Sequence, residues 1–302
     1  MRYLLALAFL LIPFGAHAQP EPRPPTPAEE AFARGYTAIM EGDTLAAITA
    51  FEEAYHLDSL LAGAAYNLGL LAARRGDHEA AIPWYARALR ALTITDPGPP
   101  IVGEDPWASD YLDTVLGLLY AGAELFQQGR LDEARPASEA VLAAVPHHRD
   151  ALYNLALTLY RQEEWNALVA VAERLVAVDP LNYNARVVLF NAHRGQFEAS
   201  GEAEDRLRAL AVLDSADALP IRIEDVRLRT LNDTTTVAGS YVRGRAEPGT
   251  PIRLTFTLLD PHGLHPEGSV ILTAPADDET ATFTLPVWTR RVPLSYRYRV
   301  VE

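Results

Sequence analysis

The feature that most constrains this chain is a repeat. The segment GDTLAAITAFEEAY (Gly42 to Tyr55) returns 34 residues later as GDHEAAIPWYARAL (Gly76 to Leu89), with Gly-Asp, paired alanines, an aromatic residue and a further alanine in step. The register extends outward: Gly35 matches Gly69, Ala47 matches Ala81, Phe51 matches Tyr85 and Ala54 matches Ala88. It resumes further on, where Gly122 matches Ala156, Gly129 matches Glu163, Ala134 matches Leu168 and Pro146 matches Pro180. Gly69 and Gly122 are 53 apart, so an insert of 19 residues, dense in Pro and Gly, separates the two blocks. That composition is a loop's.

A period of 34 with this punctuation describes a helix hairpin. Small residues at Gly35, Gly69, Gly122 and Ala156 let a second helix cross close to the first. Gly42-Asp43, Gly76-Asp77 and Gly129-Arg130 break the chain between the two helices. Pro146 and Pro180 end their hairpins, because proline cannot continue a helix. Pro83 and Pro136 are expected near the start of second helices, where a missing N–H costs little. One hairpin cannot bury its apolar face alone, so neighbours must stack into a solenoid.

The pattern resembles the tetratricopeptide repeat family. Repeats fall at 28–61, 62–95, 115–148 and 149–182, with a loop insert at 96–114. A degenerate pair at 183–217 would cap the stack with its polar second helix, GEAEDRLRALAVL. The fourth repeat departs from the family pattern at Glu163 and Leu168, where small residues usually sit.

After Pro220 the helical period disappears. IRIEDVRLRTL, TTVAGSYVRGRA, PIRLTFTLL, SVILTA, ATFTLPVW and LSYRYRVV are short, β-branched or aromatic, and largely alternating, as strands half-buried in a small β-sandwich are. Phe256-Thr257-Leu258-Leu259-Asp260 is similar to the motif of the FxLYD family, with leucine in place of its tyrosine. In that family the aspartate opens a tight turn closed by a glycine, here Asp260 and Gly263, and Gly239 also suits the pattern. The expected fold is therefore multidomain, α then β: an α-solenoid of helix hairpins over 28–217, then an antiparallel, immunoglobulin-like β-sandwich over 219–302.

The first residues read as a leader. Met1-Arg2 is a short positive region, Tyr3 to Phe14 is almost wholly apolar, and Ala16-His17-Ala18 is an A-x-A cleavage signal. The apolar run is shorter than the roughly 20 residues a membrane span needs. A signal peptide of 1–18, cleaved after Ala18, and a Pro-rich linker of 19–27 give an exported protein, periplasmic or secreted. The chain has no cysteine, so no lipid anchor at the cleavage site, no disulfide and no thiolate metal site is expected.

Charge is uneven. Gln19 to Ala218 holds 15 arginines and 30 acids, whereas Leu219 to Glu302 holds 10 of each. An acidic surface repels phosphate backbones and anionic lipid, which argues against nucleic acid or membrane-surface binding.

Chemistry is sparse. Walker A, Gly-x-Ser-x-Gly and dinucleotide fingerprints are absent. Asp260, His262 and His265 are explained by a type I turn without a metal, His147-His148 reads as a solvated loop, and Asp277 to Glu279 lacks the spacing of a calcium loop. No catalytic residue, metal or cofactor is expected. One constellation survives. Asn67 and Arg74 lie seven residues apart on a first helix, and Asn154 and Arg161 repeat that spacing. Seven residues are two turns, so each pair shares a face, which the family resemblance makes the concave one. Tyr36, Tyr66, Tyr153 and Tyr160 are expected nearby, and aromatics with arginine suit a peptide-binding surface. The expected function is a scaffold for a protein or peptide segment. A second reading is a carbohydrate- or envelope-binding module acting through Trp288, Tyr296 and Tyr298. A row of exposed rings favours sugar, whereas buried rings favour the scaffold.

Overall fold

The computed structural model describes residues 23–95, 106–259, 265–277, 279–289 and 291–301. The expected leader, and Asp260, His262 and Gly263 of the expected turn, lie outside these residues. Among the described residues, ten helices precede six strands. The helices are α1 (Pro27–Glu41), α2 (Thr44–Leu57), α3 (Ala62–Arg74), α4 (His78–Ile94), α5 (Pro106–Gln127), α6 (Leu131–Ala144), α7 (Arg149–Arg161), α8 (Trp165–Val178), α9 (Tyr183–Ser200) and α10 (Ala203–Asp217). The strands are β1 (Ile221–Leu231), β2 (Thr234–Arg243), β3 (Pro251–Leu259), β4 (Glu267–Thr273), β5 (Thr280–Trp288) and β6 (Ser295–Val301).

The Gly-Asp punctuation works as a stop followed by a start. Gly42 and Gly76 take φ of 79° and 77°, a left-handed turn open to glycine without a Cβ penalty. Asp43 and Asp77 then accept hydrogen bonds from the N–H groups of Ala46 (2.9 Å) and Ala80 (3.1 Å), capping α2 and α4. At the crossings each glycine makes room for an aromatic ring. A Cβ at Gly35 would stand 2.5 Å from the Phe51 ring, and one at Gly69 would stand 2.9 Å from that of Tyr85. Between α4 and α9 the buried side chains form one continuous core, including Tyr85, Tyr111, Leu118, Leu152 and Leu168. Phe51 anchors a separate cluster with Ala47, Leu68 and Leu71.

Two details of the helical half differ from the sequence reading. Residues 106–114, assigned there to the loop insert, form the first turns of α5. Pro106 stands at the first helical position, where proline is favoured, and the buried Tyr111, Thr114 and Val115 follow at helical spacing. Pro83 and Pro136 each occupy the sixth position of their helices, beyond the N–H groups that a helix start leaves free. Each forgoes one backbone bond, to the carbonyls of Glu79 and Asp132, on an exposed face.

The strands form two three-stranded antiparallel sheets, ordered β1-β2-β5 and β4-β3-β6. Their inner faces share one core, with Ile221, Ile223, Val237 and Phe283 from one sheet and Leu254, Phe256, Tyr296 and Tyr298 from the other. Gly239 in β2 is held to glycine because a Cβ there would meet the Asp225 carbonyl and the Phe283 ring.

The helical and sheet regions meet around Asp179, a carboxylate whose side chain is 1% exposed. Tyr298 Oη donates to Asp179 Oδ1 and accepts from the Leu181 N–H at 3.1 Å. Arg149 Nε donates to Asp179 Oδ2 at 2.8 Å. Burial pushes this carboxyl above its ordinary range, against the opposing pull of Tyr298 and Arg149. Nearby, the Ile223 N–H donates to the Leu181 carbonyl (3.0 Å) and Ser295 Oγ donates to that of His147 (2.7 Å).

Candidate functional site

The eight residues singled out by the sequence fall into two groups. On α1 and α3, Tyr36, Tyr66, Asn67 and Arg74 come together. Asn67 is 4% exposed, and its Nδ2 donates to the Gly63 carbonyl at 2.8 Å and to Tyr36 Oη at 3.3 Å. An asparagine expected on the peptide-binding face is thus committed inside the protein, where it ties α3 to α1. Tyr36 stays 47% exposed. Tyr66 is half-buried and tilts against Tyr85 with ring centroids 5.7 Å apart. Arg74 is exposed, and its charge reaches both Tyr66 and Tyr85.

The second group lies on α7. Tyr153 and Tyr160 are 37% and 39% exposed. Tyr160 meets Trp165 edge-on at 5.7 Å. Arg161 lies over the Phe126 ring at 5.0 Å, within cation–π range. Asn154 is half-buried. Among the described residues, no hydrogen bond, ion pair or ring contact joins this group to the first, and α5 runs between α3 and α7 with contacts to both.

That intervening helix carries the acidic residues the sequence reading missed. Tyr66 is pushed above the ordinary tyrosine value, first by burial and then by the charges of Asp113 and Asp110. Asp110 is itself raised, by desolvation and then by Asp113. The acidic start of α5 thus acts on Tyr66 of the first group. The signal was present as an i, i+3 acidic pair, but it fell in or beside the stretch assigned to a loop.

His148 also corrects an expectation. It is not merely solvated: its Nδ1 accepts from the Ala151 N–H at 3.3 Å and caps α7. Burial holds its imidazole below the ordinary histidine value. No group of three or more metal-ligating side chains occurs among the described residues, and no described helix is long and apolar enough to cross a membrane.

The family model of the tetratricopeptide repeat matches residues 32–97 and 121–176. Solved structures similar to this chain include MamA, at 17% identity and a TM-score of 0.36, covering 63% of this chain and 89% of that one. Another is YrrB, described as a TPR protein with an unusual peptide-binding site, at 17% identity and a TM-score of 0.35, covering 64% and 86%. MamA from Desulfovibrio magneticus RS-1 is 18% identical with a TM-score of 0.31, covering 63% and 97%. No curated protein matches the chain. The helical half of this chain is thus similar to tetratricopeptide repeats over the two matched stretches, with glycine helix stops at Gly42, Gly76 and Gly129.

Proposed function

We propose that the chain is an exported, non-enzymatic scaffold that holds a protein or peptide segment along the face formed by α1, α3, α5 and α7. The β-sandwich, read as FxLYD-like, serves as a second docking surface or a spacer. The observation that carries this reading is the placing of exposed arginine and tyrosine at both ends of one helical face, Arg74 with Tyr36 and Arg161 with Tyr160. Aromatic rings give contact area at small entropic cost, and arginine gives directional donors. A mostly neutral or basic segment that presents a few acidic groups complements exposed arginines in an acidic surface.

The carbohydrate reading is disfavoured by the same criterion that posed it. Tyr296 and Tyr298 are buried in the sandwich core, and only Trp288 of that trio is exposed. A photo-crosslinking residue at Tyr66 or Tyr153 in intact cells tests the scaffold reading. It is expected to capture a discrete set of proteins that the same residue at Ile94, exposed on α4, does not. Identical capture from both faces would remove the groove from the account.

A further inference from the structure

The connection from α8 to α9 is four residues long, Asp179-Pro180-Leu181-Asn182. Asp179, Leu181 and Asn182 are almost fully buried, although a turn between helices ordinarily lies at the surface. What buries this one is the β-sandwich.

Leu181 is held by both sheets. Its N–H donates to Tyr298 Oη at 3.1 Å, and its carbonyl accepts from the Ile223 N–H at 3.0 Å. Tyr298 belongs to β6 and Ile223 to β1, the end strands of different sheets. The Leu181 side chain is 3% exposed and joins the core that the sheets share. Its neighbours follow suit. Asn182 Oδ1 accepts from the Ala185 N–H and starts α9, while its Nδ2 donates to the Ile223 carbonyl at 3.3 Å. Arg222 of β1 lies over the Tyr183 ring at 4.5 Å. In the other direction Leu294, just ahead of β6, is buried in the helical core. Each core thus contains a side chain from the other region.

The two sides of the sandwich close differently. On one side β4 and β5 pack directly, so tightly that a Cβ at Gly268 would stand 2.6 Å from Val287. On the other, no hydrogen bond joins β1 to β6 among the described residues. End strands and an apolar interior left open to water need a cover, and Leu181 with its flanking residues supplies it.

We propose that the α8–α9 connection is a strap that closes the sandwich along its β1–β6 side, so that the sheets open together with α8 and α9 as one unit. The inference deepens the scaffold reading, and its functional meaning rests on that reading. A sandwich strapped in this way is a docking surface at a fixed direction to the helical face, and not a swinging spacer.

The test is native-state hydrogen exchange of the full chain at rising urea, read by mass spectrometry in α8, α9, β2 and β3. The slowest amides of all four elements are expected to share one opening. Leu181→Ala empties the space between the sheets and is expected to make that opening about a hundredfold more frequent, in strands and helices alike. Tyr298→Phe is the milder variant, because it keeps the ring and removes only the hydroxyl bonded to Asp179 and Leu181. An increase of about tenfold is expected from it. Separate openings of strands and helices in the wild-type chain, or strands that exchange at the wild-type rate in either variant, would overturn the proposal. No partner is bound in these measurements, so that outcome would leave the scaffold reading of the helical face in place.

Discussion

The two clusters on the helical face are built from the same residue types at the same spacing, yet each holds a different member still. On α3, Asn67 is locked by Tyr36 and the Gly63 carbonyl, and Arg74 is exposed. On α7 the roles reverse: Arg161 is stacked on Phe126, and Asn154 is half-buried. The reason lies one hairpin earlier. Tyr36 follows Gly35, whereas the matching residue after Gly122 is Ala123, so Asn154 has no hydroxyl to meet there. Phe126 sits where the first block has Ile39, so Arg74 has no ring to lie on. Repeat symmetry sets the backbone, and the preceding first helix decides what each side chain touches.

The largest expected effect comes from breaking the first cluster's crossing. Gly69→Leu pushes a branched side chain into the ring of Tyr85, which is 3% exposed and has no free space to yield. A loss of about 3 kcal/mol is expected, the upper end for overpacking, read as an earlier loss of helical circular dichroism. An unchanged melt would mean that the glycine is not needed for packing.

Next is the asparagine pair. Asn67→Ala removes two bonds of a side chain that is 4% exposed, one of them the tie to Tyr36 on α1, for about 2 kcal/mol in urea unfolding. Asn154→Ala should stay within about 0.5 kcal/mol. Equal costs would contradict the contrast between the clusters.

Smaller still is a stop signal. Glu163 occupies the left-handed turn at φ 58°, where the earlier hairpins place Gly42, Gly76 and Gly129. Glu163→Gly is expected to stabilise the protein by about 1 kcal/mol, and Gly76→Glu to destabilise it by a similar amount.

The smallest effect is a pH dependence from the cap of α7. His148 caps α7, whereas Leu61 at the start of α3 offers no side-chain cap. Because burial depresses the His148 value, the cap's contribution is fully present above the ordinary histidine value of about 6.5. It is lost as pH falls from there through the depressed folded value, since the unfolded chain then binds the extra proton. His148→Asn keeps an acceptor and should flatten that part of the acid dependence, as urea midpoints at about pH 8 and about pH 5 would reveal. An identical acid slope in the variant would assign the proton elsewhere.

Much of the fold was legible because its devices are local. Gly-Asp stops, small crossing residues and alternating strands each write their requirement within a few positions. The misreadings come from tertiary context. Proline and glycine before Pro106 hid the first turns of α5, whose helical spacing begins only at Tyr111. Asp179 and Tyr298, joined in the core of the molecule, are 119 residues apart in the chain, and nothing near either residue marks the contact. The candidate site was legible as a face but not as an environment. The residues named for it are where the period puts them, whereas the locking of Asn67 and the acids of α5 depend on neighbouring helices.

A helical face that holds a partner through its two arginines should release it when both are removed. The most direct measurement compares partner recovery from an envelope extract by the wild-type chain and by an Arg74→Ala, Arg161→Ala double variant, with folding of both checked by circular dichroism. Losing even one charge-assisted hydrogen bond is worth about 1.5–3 kcal/mol, so recovery of a specific partner should fall about tenfold to a hundredfold. Equal recovery of every specific partner by two equally folded proteins would place binding elsewhere on the molecule.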